Sequence, residues 1–175
     1  MGYTTDFTGD LTISPPLTPD QAMYLKQFNE TRRMRRDEKI AATLSDPLRV
    51  AVGLPIGVEG GYFVGGAGFS GQDHDASVLD GNTPPTIQPG LWCGWTVTDD
   101  GSKLKWDGCE KFYSYVEWLE YLIQHFYKPW GRTLNGQIIW HGEESEDVGA
   151  ITVVNNTVHA EQGEPFKPSM KDPRK

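Results

Sequence analysis

The chain has 175 residues, 37% apolar and 23% charged, a size and balance that allow a buried core without disulfide staples. Its net charge of −8 argues against a general nucleic-acid binder, which shows a basic footprint, and no apolar run approaches the roughly 20 residues of a membrane span. Twenty glycines and twelve prolines predict much turn and loop, and the acids in the opening MGYTTDFTGD predict no export signal.

Residues 4–14 are rich in strand formers and end at Pro15-Pro16, because proline cannot donate to a ladder. Thr18 then caps a helix, with Pro19 at its first position and Asp20 complementing its dipole. Ala22, Leu25 and Phe28 form its apolar stripe, and the helix is expected to run into Arg32-Arg33-Met34-Arg35-Arg36. Asp46-Pro47 starts a short helix ending near Val52. Residues 53–90 form a long loop rich in glycine and proline, in which Tyr62-Phe63-Val64 is the one expected strand. Residues 91–106 read as a hairpin about Asp99–Ser102 in which Trp95 faces Trp106 and Val97 faces Leu104. A long helix is expected over 109–128, with Phe112, Val116, Leu119, Ile123 and Phe126 on one face; Pro129 and Gly131 stop it. Strands follow at 133–140, 149–154 and 157–161. Asn155-Asn156 makes a tight turn that sets Val153 opposite Val158 and Ile151 opposite Ala160. The sum is one α+β domain over 1–162, an antiparallel sheet with two helices packed on one face as a two-layer sandwich, and a flexible tail over 163–175.

Two cysteines, Cys93 and Cys109, make neither a disulfide framework nor a zinc pair, and are expected to be reduced and apolar in role. Gly66-Ala67-Gly68-Phe69-Ser70-Gly71 has the spacing of a dinucleotide loop, but no amphipathic helix follows it, so a backbone cradle for an anion is the stronger reading. Ser70 fails as a nucleophile elbow because Gln72 stands where glycine is needed. Asp73, His74 and Asp75 have metal-ligand chemistry, yet alternate residues of an extended segment point apart, so a solvated loop is favoured. Five of the sixteen basic residues fall within 32–40. Arg32, Arg33, Arg35 and Arg36 therefore form the expected anion site, weighed against a helix end that complements its dipole. Glu143, Glu144, Glu146 and Asp147 form an acidic loop that either imitates nucleic-acid phosphates or simply solvates a turn. His125 and His159 show no catalytic partner and read as structural.

The stretches FNETRRMRRD (Phe28 to Asp37), QPGLWCGW (Gln88 to Trp95) and WDGCEKFYSYVEWLEYLIQHFYKPWGRTLNG (Trp106 to Gly136) resemble a family of small proteins of unsettled activity carried by tailed phages and prophages. The resemblance implies a viral origin and action in the cytoplasm of a bacterial host; it supplies no catalytic residues. Since no nucleophile, base and orienter come together, the expectation is a non-enzymatic accessory protein that needs no cofactor. In the leading reading it counters a host defence by holding a small phosphorylated nucleotide: Arg32, Arg33, Arg35 and Arg36 meet phosphate, Gly66 and Gly68 cradle it, and Tyr62 and Phe69 stack on the base. The alternatives are an acidic, DNA-mimicking inhibitor of a host nuclease or other defence protein, a metal-dependent hydrolase built on Asp73, His74 and Asp75, and a virion component. Homo-oligomers are left open.

Overall fold

The computed structural model describes residues 2–163; the rest of the expected tail lies outside them. The strands are β1 (Thr5–Ser14), β2 (Arg35–Arg36), β3 (Val78–Asp80), β4 (Trp95–Val97), β5 (Lys103–Trp106), β6 (Thr133–Gly142), β7 (Val148–Val154) and β8 (Thr157–Gln162). The α-helices are α1 (Pro19–Glu30), α2 (Glu38–Ala41), α3 (Pro47–Ala51) and α4 (Tyr115–Leu122), and a π-turn over Ile123–Tyr127 prolongs α4. The fold is α+β. Six antiparallel strands form one sheet in the order β4-β5-β1-β6-β7-β8, and β2 and β3 form a separate ribbon.

β1 lies inside the sheet and pairs with β6 along its whole length, from Thr5↔Gly142 to Ser14↔Thr133. Both registers expected from the sequence occur. Trp95 faces Trp106 and Val97 faces Leu104 in one hairpin; Ile151 faces Ala160 and Val153 faces Val158 in the other. The period of two then separates the faces of the sheet. Phe7, Leu11, Ile13, Val97, Leu104, Leu134, Ile138, Ile151 and Val153 enter one apolar cluster with Leu25 and Phe28 of α1 and Trp118, Leu119 and Leu122 of α4. Asp6, Thr8, Thr12, Lys103, Lys105, Gln137 and His141 are exposed on the opposite face. α1 starts as expected: Thr18 Oγ1 accepts from the Gln21 backbone at 3.2 Å, and Gln21 Oε1 accepts from the Thr18 backbone at 3.0 Å.

Several elements differ from expectation: the hairpin strand expected from Leu91 begins at Trp95, β2 and α2 follow α1, and β3 lies in the segment read as loop. α1 stops at Glu30, short of the arginines, because Thr31 turns the chain extended; Arg35 and Arg36 then lie in β2. The long helix begins at Tyr115 rather than 109, since Ser114 takes a left-handed conformation (φ +56°) that a helix interior does not tolerate. Tyr62–Val64 is not a strand. Its carbonyls go to side chains instead of a ladder: Tyr24 Oη donates to Tyr62 O, Arg33 Nη2 to Phe63 O and Gln27 Nε2 to Val64 O. Both cysteines are free. Burial pushes both thiols up, Cys109 to about 12, which suits a packing role. Among the described residues no helix is long and apolar enough to cross a membrane.

Candidate functional site

The arginine block faces inward. Arg33 and Arg36 are each only 2% exposed. Arg33 Nη2 donates to Gly61 O and Phe63 O, both at 2.8 Å, and its Nε donates to Gln88 Oε1 at 3.4 Å. Its guanidinium lies 4.1 Å from the centroid of the Phe28 ring. Arg36 lies over Phe63 at 4.3 Å, and its nitrogens donate to Asp75 Oδ2 (3.0 Å), Ser77 Oγ (2.8 Å) and Gly71 O (2.9 Å). Arg32 donates to Gly81 O and to Asn82 Oδ1. Arg35 is half-buried, 3.9 Å from Glu59. Three of the four guanidiniums, Arg32, Arg33 and Arg36, thus hold the glycine-rich segment through its carbonyl groups, and Arg35 faces Glu59 on it. Asp46, itself buried, holds the same segment from the other side by accepting from Val64 N and Gly65 N while Arg49 pairs with it at 2.6 Å. Burial is the main influence on the Asp46 carboxyl and pushes it up, against the pull of Arg49 and the two amides.

This arrangement does not assemble the expected nucleotide site. Burial removes Arg33 and Arg36 from the reach of a ligand in solvent. Tyr62 Oη is 2.8 Å from His125 Nδ1, and its ring packs on Phe126, so this side chain is held against the π-turn that prolongs α4. Phe69 is exposed and shares no aromatic pair with Tyr62 among the described residues. Gly66 is half-buried near Ser70, and Gly68 is exposed with φ +78°. Asp73, His74 and Asp75 diverge. Asp73 and His74 are exposed, and Asp75 turns to Arg36 and Ser77. Burial raises the Asp75 carboxyl, but the Ser77 and Arg36 hydrogen bonds outweigh it and hold the group below its ordinary value. Among the described residues no three His, Cys, Asp or Glu side chains are grouped to hold a metal ion.

The inward arginines leave an acidic surface. Residues 164–175 carry four of the chain's sixteen basic residues and two of its twenty-four acidic ones, so 2–163 hold twelve and twenty-two. Of these, Arg33, Arg36 and Asp46 are buried, so ten cations share the surface with twenty-one carboxylates. The acids of the loop 143–147 gather at one end. Asp147 ties the loop down, accepting from Tyr3 Oη at 2.7 Å and Trp140 Nε1 at 2.9 Å, while Thr4 N donates to Glu143. Gln162 Nε2 donates to Glu146 O at 2.7 Å. Glu143, Glu144 and Glu146 are exposed.

Beside this loop Ser114–Glu117 and Trp140 line a groove of about 440 Å³. Burial, reinforced by Asp147, Tyr3 and Glu117, pushes the Tyr115 phenol there up to about 12. A second groove of about 340 Å³, lined by Pro89–Trp92, Lys111, Tyr113 and Ser114, adjoins it at Ser114. Trp92 and Tyr113 are 40% and 52% exposed. Reading the helix from 109 hides these grooves, because it places Tyr113 within the helical coat. The usable signal was Ser114-x-x-Glu117, the spacing of a helix start, although Ser114 makes no side-chain cap here.

Comparison with protein-family models, with curated proteins and with solved structures yields no match for this chain.

Proposed function

We propose that the protein acts by binding rather than catalysis, presenting an acidic surface to a basic macromolecular partner. In a chain of phage type, that partner is a nucleic-acid-binding host protein such as a nuclease. The observation that carries the reading is the direction of the arginines. With Arg33 and Arg36 spent on the glycine-rich segment, the described residues present ten cations against twenty-one carboxylates at the surface. Glu143, Glu144 and Glu146 stand together on a loop fixed by Asp147, so their charges are held in place rather than on a free chain. Fixed, concentrated charge steers a basic partner and suppresses acidic ones. A phosphorylated small ligand is disfavoured on the same ground, because its two best-placed cations are not at the surface.

The test is binding of the full chain to a panel of purified basic DNA-binding proteins. Association with members of the panel should weaken steeply with salt and yield to competing duplex DNA. The combined Glu143→Gln, Glu144→Gln and Glu146→Gln variant should lose it while unfolding at the same temperature as the parent. Absence of association at low salt, or equal binding by the variant, would refute the reading.

A further inference from the structure

β8 forms one edge of the six-stranded sheet, and among the described residues no strand pairs with its outer side. Its ladder to β7 runs from Gly149↔Gln162 to Val154↔Thr157 without a register shift. In an antiparallel ladder, successive residues direct their backbone groups alternately to one neighbour and the other. The two-residue turn at Asn155-Asn156 makes Val154–Thr157 the closing hydrogen-bonded pair. Gly163 N donates to Val148 O at 2.7 Å and keeps that phase. Thr157, His159 and Glu161 therefore bond inward, and Val158, Ala160 and Gln162 direct their N–H and C=O groups outward.

Free edges are usually blunted by charged side chains, above all lysine, by proline, by a bulge or by short length. β8 has six residues with no proline, lysine or register shift, and its one carboxylate, Glu161, is the residue the pairing below sets opposite an imidazole. The opposite edge shows the contrast: β4 has three residues, and its Trp95 and Val97 are buried.

We propose that β8 pairs antiparallel with β8 of a second copy, about a two-fold axis at Ala160, joining the two sheets into one. The register follows from counting. Centred on Ala160, all three outward residues find partners, Ala160 with itself and Val158 with Gln162, for about six backbone hydrogen bonds. Centred on His159 or Glu161, only one kind of outward pair forms, and two imidazoles or two carboxylates meet. The Ala160 register instead sets His159 opposite Glu161 twice, in the non-hydrogen-bonded positions whose Cα atoms are about 4.5 Å apart. There an imidazole N–H can donate to the carboxylate. The inference is independent of the acidic-surface reading, which concerns the 143–147 loop.

Sedimentation equilibrium of the full chain tests it, with an apparent mass rising with concentration toward twice that of one chain. Ala160→Pro removes an outward N–H at an edge position that tolerates proline, so it should abolish association without altering the circular dichroism spectrum. His159→Glu and Glu161→His should each weaken association several-fold, and the double swap should restore it. A chain that remains monomeric at every concentration, or a dimer indifferent to Ala160→Pro, would overturn the pairing. A double swap that restores nothing would overturn the register.

Discussion

Arg36 Nη1 meets Asp75 Oδ2 at 3.0 Å across 39 residues of sequence, closing the glycine-rich segment onto the ribbon that follows α1. The guanidinium also reaches Ser77 and Gly71, so one side chain fixes three points of a segment with little regular structure. Arg33 does the same for Gly61 and Phe63. Buried carbonyl groups need donors, and here arginines supply what a ladder supplies elsewhere.

Replacing Arg33 by Met should therefore destabilise the fold. The methionine stem can keep the contact with Phe28, but Gly61 O loses one donor and Phe63 O loses its Arg33 bond. The expected loss is roughly 2–4 kcal/mol, from the cost of leaving buried polar groups unpaired. Arg33→Lys should recover little of it, because an ammonium lacks the planar fork that spans both carbonyls. Arg35→Ala, at a half-exposed position 3.9 Å from Glu59, should cost within about 1 kcal/mol. Urea unfolding midpoints decide the matter. Equal midpoints for Arg33→Met and the parent would mean that Arg33 does not serve the loop.

The contrast between Arg33 and Trp95 shows where the sequence is readable. Trp95 faces Trp106 because two strands alternate with a period of two about one turn, and such local periodicity survives folding. The Asn155-Asn156 hairpin is legible for the same reason, with both asparagines at positive φ. Arg33 gave no such signal. A run of guanidiniums in an acidic chain is equally compatible with an outside anion and with inside carbonyls. What decides is whether 53–90 folds back over α1, a long-range event with no period. The same event hid the nature of Tyr62–Val64, whose composition is that of a strand but whose carbonyls are claimed by Tyr24, Arg33 and Gln27. The start of α4 was blurred because the apolar stripe reaches back to Phe112, which is buried outside the helix.

Acid should weaken the fold through His125. Its ring stacks on Tyr121 with centroids 4.1 Å apart, and its Nδ1 lies 2.8 Å from Tyr62 Oη. Partial burial disfavours the imidazolium and lowers its pKa below the ordinary 6.5. The unfolded chain then binds the proton more readily than the folded one. The His125 contribution is thus intact above pH 6.5 and declines as pH falls from there toward the lower folded value. Denaturant unfolding at closely spaced pH values should show this slope. His125→Phe, which keeps an aromatic face against Tyr121, should flatten it specifically in that window. An unchanged slope in the variant would assign the acid sensitivity to other groups.

Gly149 should resist even the smallest substitution. β1, β6 and β7 bring Phe7, Trp140 and Gly149 into one row across the sheet. A Cβ on Gly149 would stand 2.3 Å from the Trp140 ring and 2.6 Å from Glu161 O, so the indole must move or the β7–β8 ladder must open. Overpacking of this kind costs about 1–3 kcal/mol, and for a chain of this size each kcal/mol lowers the melting temperature by about 2–4 °C. The displacement has a second consequence, because Trp140 Nε1 donates to Asp147 Oδ1 and so anchors the acidic loop. Gly149→Ala should therefore lower the melting temperature by several degrees and shift the Trp140 indole N–H resonance together with the amides of 143–147. Trp140→Phe should disturb the same amides without the overpacking, since it removes the donor but leaves Gly149 its space. If the loop amides stay in place in both variants, Trp140 does not hold the loop.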